Sequence, residues 1–168
     1  MKKTFLFLTL ALIVTLCGCA VNELPAAECV SDSLTFSEAP AYMILAELPQ
    51  ELVLSGAAND GKYAVFDCAD YTLTEEIFNA ASLDDAFLRL TGREKDTLLP
   101  IRIPSFPHER YEFAWTAAED GGEVVCCGTL LYDGQDYYAV TVRCPAEHMP
   151  RYRETFSALL SAVELVPV

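Results

Sequence analysis

Basic side chains, histidine and paired cysteine spacings are all scarce in this sequence. Its 168 residues carry 11 Lys and Arg against 25 Asp and Glu, a net charge of −14. Nucleic acid is thereby excluded as a partner, because gripping a polyanion depends on Lys and Arg that displace counterions. The two histidines, His108 and His148, do not belong to an HExxH motif, and His108-Glu109-Arg110 lacks the second His that would hold zinc. GxSxG, P-loop and GxGxxG motifs are missing as well. Beyond residue 19 there is no CxxC, which removes a thioredoxin-like redox motif and a zinc ribbon. Neither a metal nor a cofactor is expected. A membrane-spanning run is also lacking. The apolar run Phe5–Leu16 has 12 residues. As a helix it reaches about 18 Å at about 1.5 Å per residue, against a bilayer core of about 30 Å.

What the N-terminus does contain is an export signal. Lys2 and Lys3 supply a positive start and residues 5–16 the apolar core of a secretory leader. Leu16-Cys17-Gly18-Cys19 resembles the lipobox of bacterial lipoproteins: a Leu, a small residue, Gly or Ala, then an obligatory Cys. The resemblance implies a diacylglyceryl cysteine at Cys19, acylated with chains such as palmitate, and loss of residues 1–18. Cys17 competes less well, since bulky Leu16 would then sit beside the cut. Two acyl chains hold a protein on a membrane stably, at about 0.8 kcal/mol per buried CH₂, where one chain holds it marginally. The resemblance thus places the chain on the cell membrane, lipid-anchored, on the extracytoplasmic side. The alternative is an ordinary signal peptide and a released product.

Cleavage leaves 150 residues, one domain by length. A chain of that size buries about 68–70% of its unfolded surface and needs no disulfide framework. Losing Lys2 and Lys3 shifts the net charge from −14 to −16. Repulsion from anionic lipid then favours holding the domain off the surface to which it is tethered. Five cysteines remain after Cys19, namely Cys29, Cys68, Cys126, Cys127 and Cys144. An odd number leaves at least one unpaired in a monomer, and buried thiols behaving as small apolar residues are the default.

Residues 19–33 read as the lipidated Cys and a short polar tether, and residues 34–168 as one domain. Short strands are expected at Leu34–Phe36, Tyr42–Leu48 and Leu52–Leu54. The tight turn Ala58-Asn59-Asp60-Gly61 follows, then strands Tyr63–Cys68 and Tyr71–Phe78, although Thr74-Glu75-Glu76 also offers a helix cap. Ser82 as N-cap, Asp84 and Asp85 in the first turn, the spacing of Leu83, Phe87 and Leu90, and Gly92 as a stop predict a helix over Leu83–Thr91. Pro100, Pro104 and Pro107 limit Leu98–Ile103 to an edge strand. In Arg110–Ala117 the aromatics Tyr111, Phe113 and Trp115 alternate with Arg110, Glu112, Ala114 and Thr116, the period of a strand. Glu123–Tyr132 is apolar on both faces and so reads as a central strand. Across the turn at 133–136, Tyr137–Cys144 returns with Tyr138, Val140 and Val142 on one face. Parity then puts Cys127 on the face of Val140, Val142 and Cys144, and Cys126 on the other. Tyr152, Phe156, Leu159, Leu160 and Val163 form one face of a terminal amphipathic helix, opened by Pro145 or Pro150 and ended by Pro167.

The fold class is α+β: an antiparallel sheet with a short helix and a C-terminal amphipathic helix packed on it. The two-sided central strand points to helices on both faces, an α/β/α sandwich. The last sixty residues or so, YEFAW…GEVV…LLYDGQDYYAVTV…YRETFSALLSAVEL, resemble the closing half of the Mog1/PsbP-like fold. That resemblance implies an α/β/α sandwich and a binding or assembly role, and it transfers no functional residue.

Three candidate chemistries remain. Cys144 or Cys68 with a His would make a small envelope hydrolase or thiol enzyme, which requires a thiolate beside a base. The acidic turns Glu119–Glu123 and Asp133–Asp136 gather oxygens, but bound opposite ends of one strand and fall short of the about six to eight ligands of Ca²⁺. The aromatic stripe Tyr111, Phe113 and Trp115 is a binding face if exposed and core if not. The leading expectation is a non-enzymatic binding or accessory module of the cell envelope, with the membrane as one partner through its lipid and an envelope protein or ligand as the other.

Overall fold

A computed structural model of the chain describes residues 39–168 except residues 106 and 120. The leader, Cys19, the tether with Cys29, and the strand expected at Leu34–Phe36 lie outside the described residues. Among the described residues nine strands and three α-helices follow in the order β1 (Tyr42–Leu45), β2 (Val53–Ala58), β3 (Tyr63–Asp67), β4 (Thr72–Phe78), α1 (Leu83–Thr91), α2 (Lys95–Leu98), β5 (Ile101–Ile103), β6 (Glu109–Glu119), β7 (Gly122–Tyr132), β8 (Tyr137–Pro145), α3 (Met149–Ser161) and β9 (Glu164–Pro167).

Seven strands form one antiparallel sheet in the order β2-β3-β4-β8-β7-β6-β5. The two-faced run is indeed interior: β7 lies between β8 and β6, with Leu130 buried on one face and Leu131 on the other. Two cores result, one on each side of the same sheet. Under α3, Leu73, Leu131, Tyr138, Val140 and Val142 pack against Phe156, Leu159 and Leu160. On the opposite side, Phe78, Leu130, Tyr137 and Ala139 pack with Phe113 against Ala86 and Phe87 of α1. Helices on both faces of an antiparallel sheet make an α/β/α sandwich.

Local chemistry sets the element ends. The Ser82 hydroxyl accepts the Asp85 N–H at 3.1 Å to open α1. Gly92, at φ 68°, closes it by donating its N–H to the Leu88 carbonyl at 2.8 Å. At the other helix, the buried Arg110 donates to the Leu160 carbonyl and, at 3.1 Å, to that of Val163. A guanidinium there satisfies carbonyls that a helix C-terminus leaves without intrahelical partners and meets the negative end of its dipole.

Several expectations are corrected. The strand over Tyr42–Leu48 stops at Leu45, because its partner is the four-residue β9, with Tyr42 opposite Pro167 and Leu45 opposite Glu164. That partner was not foreseen. Val163, expected on the terminal helix, lies beyond its end, buried, where the chain turns into β9. The strand expected at Leu52–Leu54 runs on to Ala58, so the turn narrows to Asn59–Gly61, all three residues at positive φ. The short helix α2 was also unexpected. It positions Leu98 in the core and ends at Leu99, which has φ 50°.

Candidate functional site

Helix α1 covers only part of its side of the sheet. Three rows of side chains run across the strands there, read from the register. The first is Tyr111, Leu130, Ala139, Glu76 and Tyr63. The second is Phe113, Gly128, Thr141, Thr74 and Val65, and the third Trp115, Cys126, Arg143, Thr72 and Asp67. Phe87 of α1 packs edge-on against Phe113 at 5.0 Å and against Tyr111 at 6.2 Å, closing one end of these rows. At the other end the sheet stays open as a groove of about 500 Å³. Leu90 and Thr91, the last turn of α1, form one rim of this groove.

The sequence-predicted aromatic stripe divides across this boundary. Phe113 is 6% exposed and belongs to the core beneath α1. Tyr111 is half-buried against the same core, and its hydroxyl donates to Glu109 at 2.7 Å. Trp115 stacks on Phe113 with centroids 5.7 Å apart, and lines the groove. Gly128 is what lets Phe113 lie flat on the sheet. A Cβ there would meet the Val140 carbonyl oxygen at 2.9 Å and Phe113 Cζ at 3.0 Å.

The polar side chains of the groove are of two kinds. Its charges are paired: Glu76 with Arg89, and Arg143 with Glu119. Three of its hydroxyls are not. Thr74 and Thr141 face each other across β4 and β8. Among the described residues neither they, nor the Tyr63 hydroxyl, nor the Trp115 indole N–H has a hydrogen-bond partner in the protein, whereas Thr72 donates to Asp67 at 2.7 Å. No signal in the sequence marked Tyr63, Thr74 and Thr141 out. Alternation predicts their shared face only once the strand order is known.

A second groove, of about 410 Å³, lies on the other side of the sheet between α3 and β5, with Ala114, Cys127 and Phe156 in its lining. Its outer wall includes Leu99 and Ile101, 79% and 64% exposed.

The thiols and histidines are occupied elsewhere. Parity holds as expected: Cys127 lies opposite Val142 on the α3 side, and Cys126 opposite Arg143 on the other. Cys68, Cys126, Cys127 and Cys144 are all free. The Cys144 sulfur lies 3.9 Å from that of Met149, and Cys68 donates to the Tyr71 carbonyl at 3.5 Å. His148 points Nδ1 at Asp70 Oδ1, 3.5 Å away, while His108 packs edge-on against Tyr42. Burial pushes the Cys126 thiol up to about 11 and Cys127 up to about 12, with the nearby Cys144 adding to both. Burial raises Cys144 too. A nucleophilic cysteine needs the opposite shift. In the turn at 133–136, Asp133 accepts from the Gln135 and Asp136 N–H groups and the Tyr138 hydroxyl, each at 2.8 Å, so its carboxylate organises the hairpin. Among the described residues no group of His, Cys, Asp and Glu is placed to hold a metal ion, and no helix is long and apolar enough to cross a membrane.

The fold is similar to that of a solved structure, LpqN, involved in cell envelope biogenesis of Mycobacterium tuberculosis. The TM-score is 0.56 at 8% identity, over 78% of this chain and 87% of that one. At this identity the likeness is one of fold. No family model and no curated protein matches the chain.

Proposed function

We propose that this chain is a non-enzymatic binding or accessory module of the cell envelope, lipid-anchored through Cys19 on the extracytoplasmic side. The observation that carries the binding reading is the open end of the α1 side of the sheet. There a stable sandwich leaves Trp115 and unpartnered hydroxyls facing a groove rather than covering them with a helix. Small-molecule sites have this form, a concavity of about 300–1,000 Å³ with apolar walls and a few convergent polar groups. The likeness to LpqN, itself involved in cell envelope biogenesis, supports the envelope setting. Three strands followed by an amphipathic helix, before the short β9, are the elements on which the resemblance to the Mog1/PsbP-like fold rests, and that resemblance implies a binding or assembly role. The lipobox supports the anchor.

Two experiments test the parts separately. A Cys19→Ala chain is expected to leave the membrane fraction, and retention there at the wild-type level removes the anchor. A photo-crosslinking amino acid at position 74, in intact cells, is expected to capture a reproducible partner or ligand. Capture equal to that of a crosslinker at exposed Ser161, remote in sequence from the groove, would remove the binding reading.

A further inference from the structure

The geometry points to a neutral saccharide as the ligand of the groove beside α1, stacked on Trp115 and hydrogen-bonded by Thr74, Thr141 and Tyr63. This inference rests on the binding reading above and names its ligand class.

Charge decides against the main alternatives. The chain is strongly acidic, and Arg143, the basic residue among the described residues lining the groove, is already paired with Glu119. Glu76, the carboxylate among the described residues lining the groove, is likewise paired with Arg89. What is left unsatisfied is neutral: three hydroxyls, each able to donate and accept, and one indole N–H. An acyl chain would bury these groups without partners and leave their desolvation uncompensated. A sugar matches them, because every ring hydroxyl is also both donor and acceptor.

The indole supplies the other half of the match. Pyranose rings present a C–H face that packs on an aromatic ring while the hydroxyls point outward. Among the described residues Phe113 is the one ring stacked on Trp115. The next side chain on that face of β6 is the methyl of Ala117, which also lines the groove. One face of the indole is therefore taken by Phe113, and the same residue lines the groove. By strand and residue spacing Thr141 and Thr74, one row away and two and three strands across, lie about 12 and about 16 Å from Trp115, and Tyr63 about 23 Å, so the match is to an oligosaccharide of about three or four rings.

Trp115 is the single tryptophan of the sequence, so its emission reports on this groove alone. The whole mature lipidated chain, in a detergent without a sugar head group, is titrated with maltotetraose, cellotetraose, chitotetraose and mannotetraose. A saturable shift of the emission is expected with at least one. Thr74→Val and Thr141→Val are each expected to weaken that binding between about twofold and about tenfold, the range for one hydrogen bond. Silence of all four saccharides overturns the inference, as does a shift unchanged in the Thr74→Val/Thr141→Val double variant. The crosslinker at position 74 separates the two readings. Capture of a protein or lipid while the saccharides are silent sinks the saccharide and leaves the binding module standing. Absence of both sinks the two together.

Discussion

The two sides of the seven-stranded sheet are built from the same strands and end up with opposite characters. Along β8, Tyr138, Val140, Val142 and Cys144 on the α3 side are all buried. On the α1 side, Tyr137 and Ala139 are buried, Thr141 is half-buried and Arg143 is exposed. A 13-residue helix together with β1 and β9 covers the first side, while a nine-residue helix covers one end of the second. One face is thus covered along its length, and the other carries a core at one end and an open groove at the other; substitutions are expected to divide along the same line.

The largest effect is expected on the covered face. Phe156 is 1% exposed and packs on Tyr71 at 4.9 Å and Tyr152 at 5.6 Å. Phe156→Ala leaves a cavity between α3 and the sheet and is expected to destabilise by about 3–5 kcal/mol. Urea unfolding measures it, and a loss below about 1 kcal/mol would mean that this core is loose enough to collapse around the gap. Gly128→Ala comes next, since its Cβ would press on the Val140 carbonyl as well as on two side chains. Overpacking of this kind costs about 1–3 kcal/mol. It also tilts Phe113 and with it Trp115, so the indole emission is expected to change in the same variant.

How much of this contrast was legible beforehand depends on the range of the interactions that create it. Helix α1 was readable to its ends, because Ser82, Asp85 and Gly92 act on backbone groups within four residues. The meander of β6, β7 and β8 was readable too, since tight turns fix the register and the register fixes which cysteine faces which core. The ladder of β1 with β9 joins residues more than a hundred positions apart; a strand was expected where β1 lies, but the four-residue β9 has too little pattern to announce itself. The groove was hidden for the same reason. Thr74 on β4 meets Thr141 on β8 only because the sheet inserts β8 between β4 and β7. The aromatic stripe was visible, but which ring would be left uncovered depended on how far α1 reaches.

A pH effect sharpens the contrast from the other direction. Glu75 projects to the α3 side, between the core residue Leu73 and Ile77, and burial holds its carboxyl above the ordinary value of 4.5. The native state then keeps this proton more tightly than the unfolded chain does. Stability drawn from the residue is full below pH 4.5 and declines as the pH climbs through the raised native value. Glu75→Gln is expected to match wild type in acid and to exceed it at neutral pH, as read from Tm across the range. Its neighbour Glu76, paired with Arg89 on the other face, provides the control. Glu76→Gln removes an ion pair that is partly solvated, and the expected change is within about 1 kcal/mol.

The smallest expected effect is also the most discriminating, because it uses adjacent residues of β8. Val142 is 1% exposed beneath α3, and Thr141 sits half-buried on the opposite face in the groove. The two side chains are nearly the same shape, so exchanging them tests polarity with little change in volume. Val142→Thr buries a hydroxyl in an apolar core and is expected to cost about 1–3 kcal/mol. Thr141→Val removes a hydroxyl that has no hydrogen-bond partner among the described residues, and the expected change in stability is within about 0.5 kcal/mol, with ligand binding as the property expected to suffer. Equal losses in urea unfolding would mean that both faces of β8 serve the core alike. In that case the opening beside Trp115 would be a packing feature, and the division between a face that stabilises and a face that binds would fail at its centre.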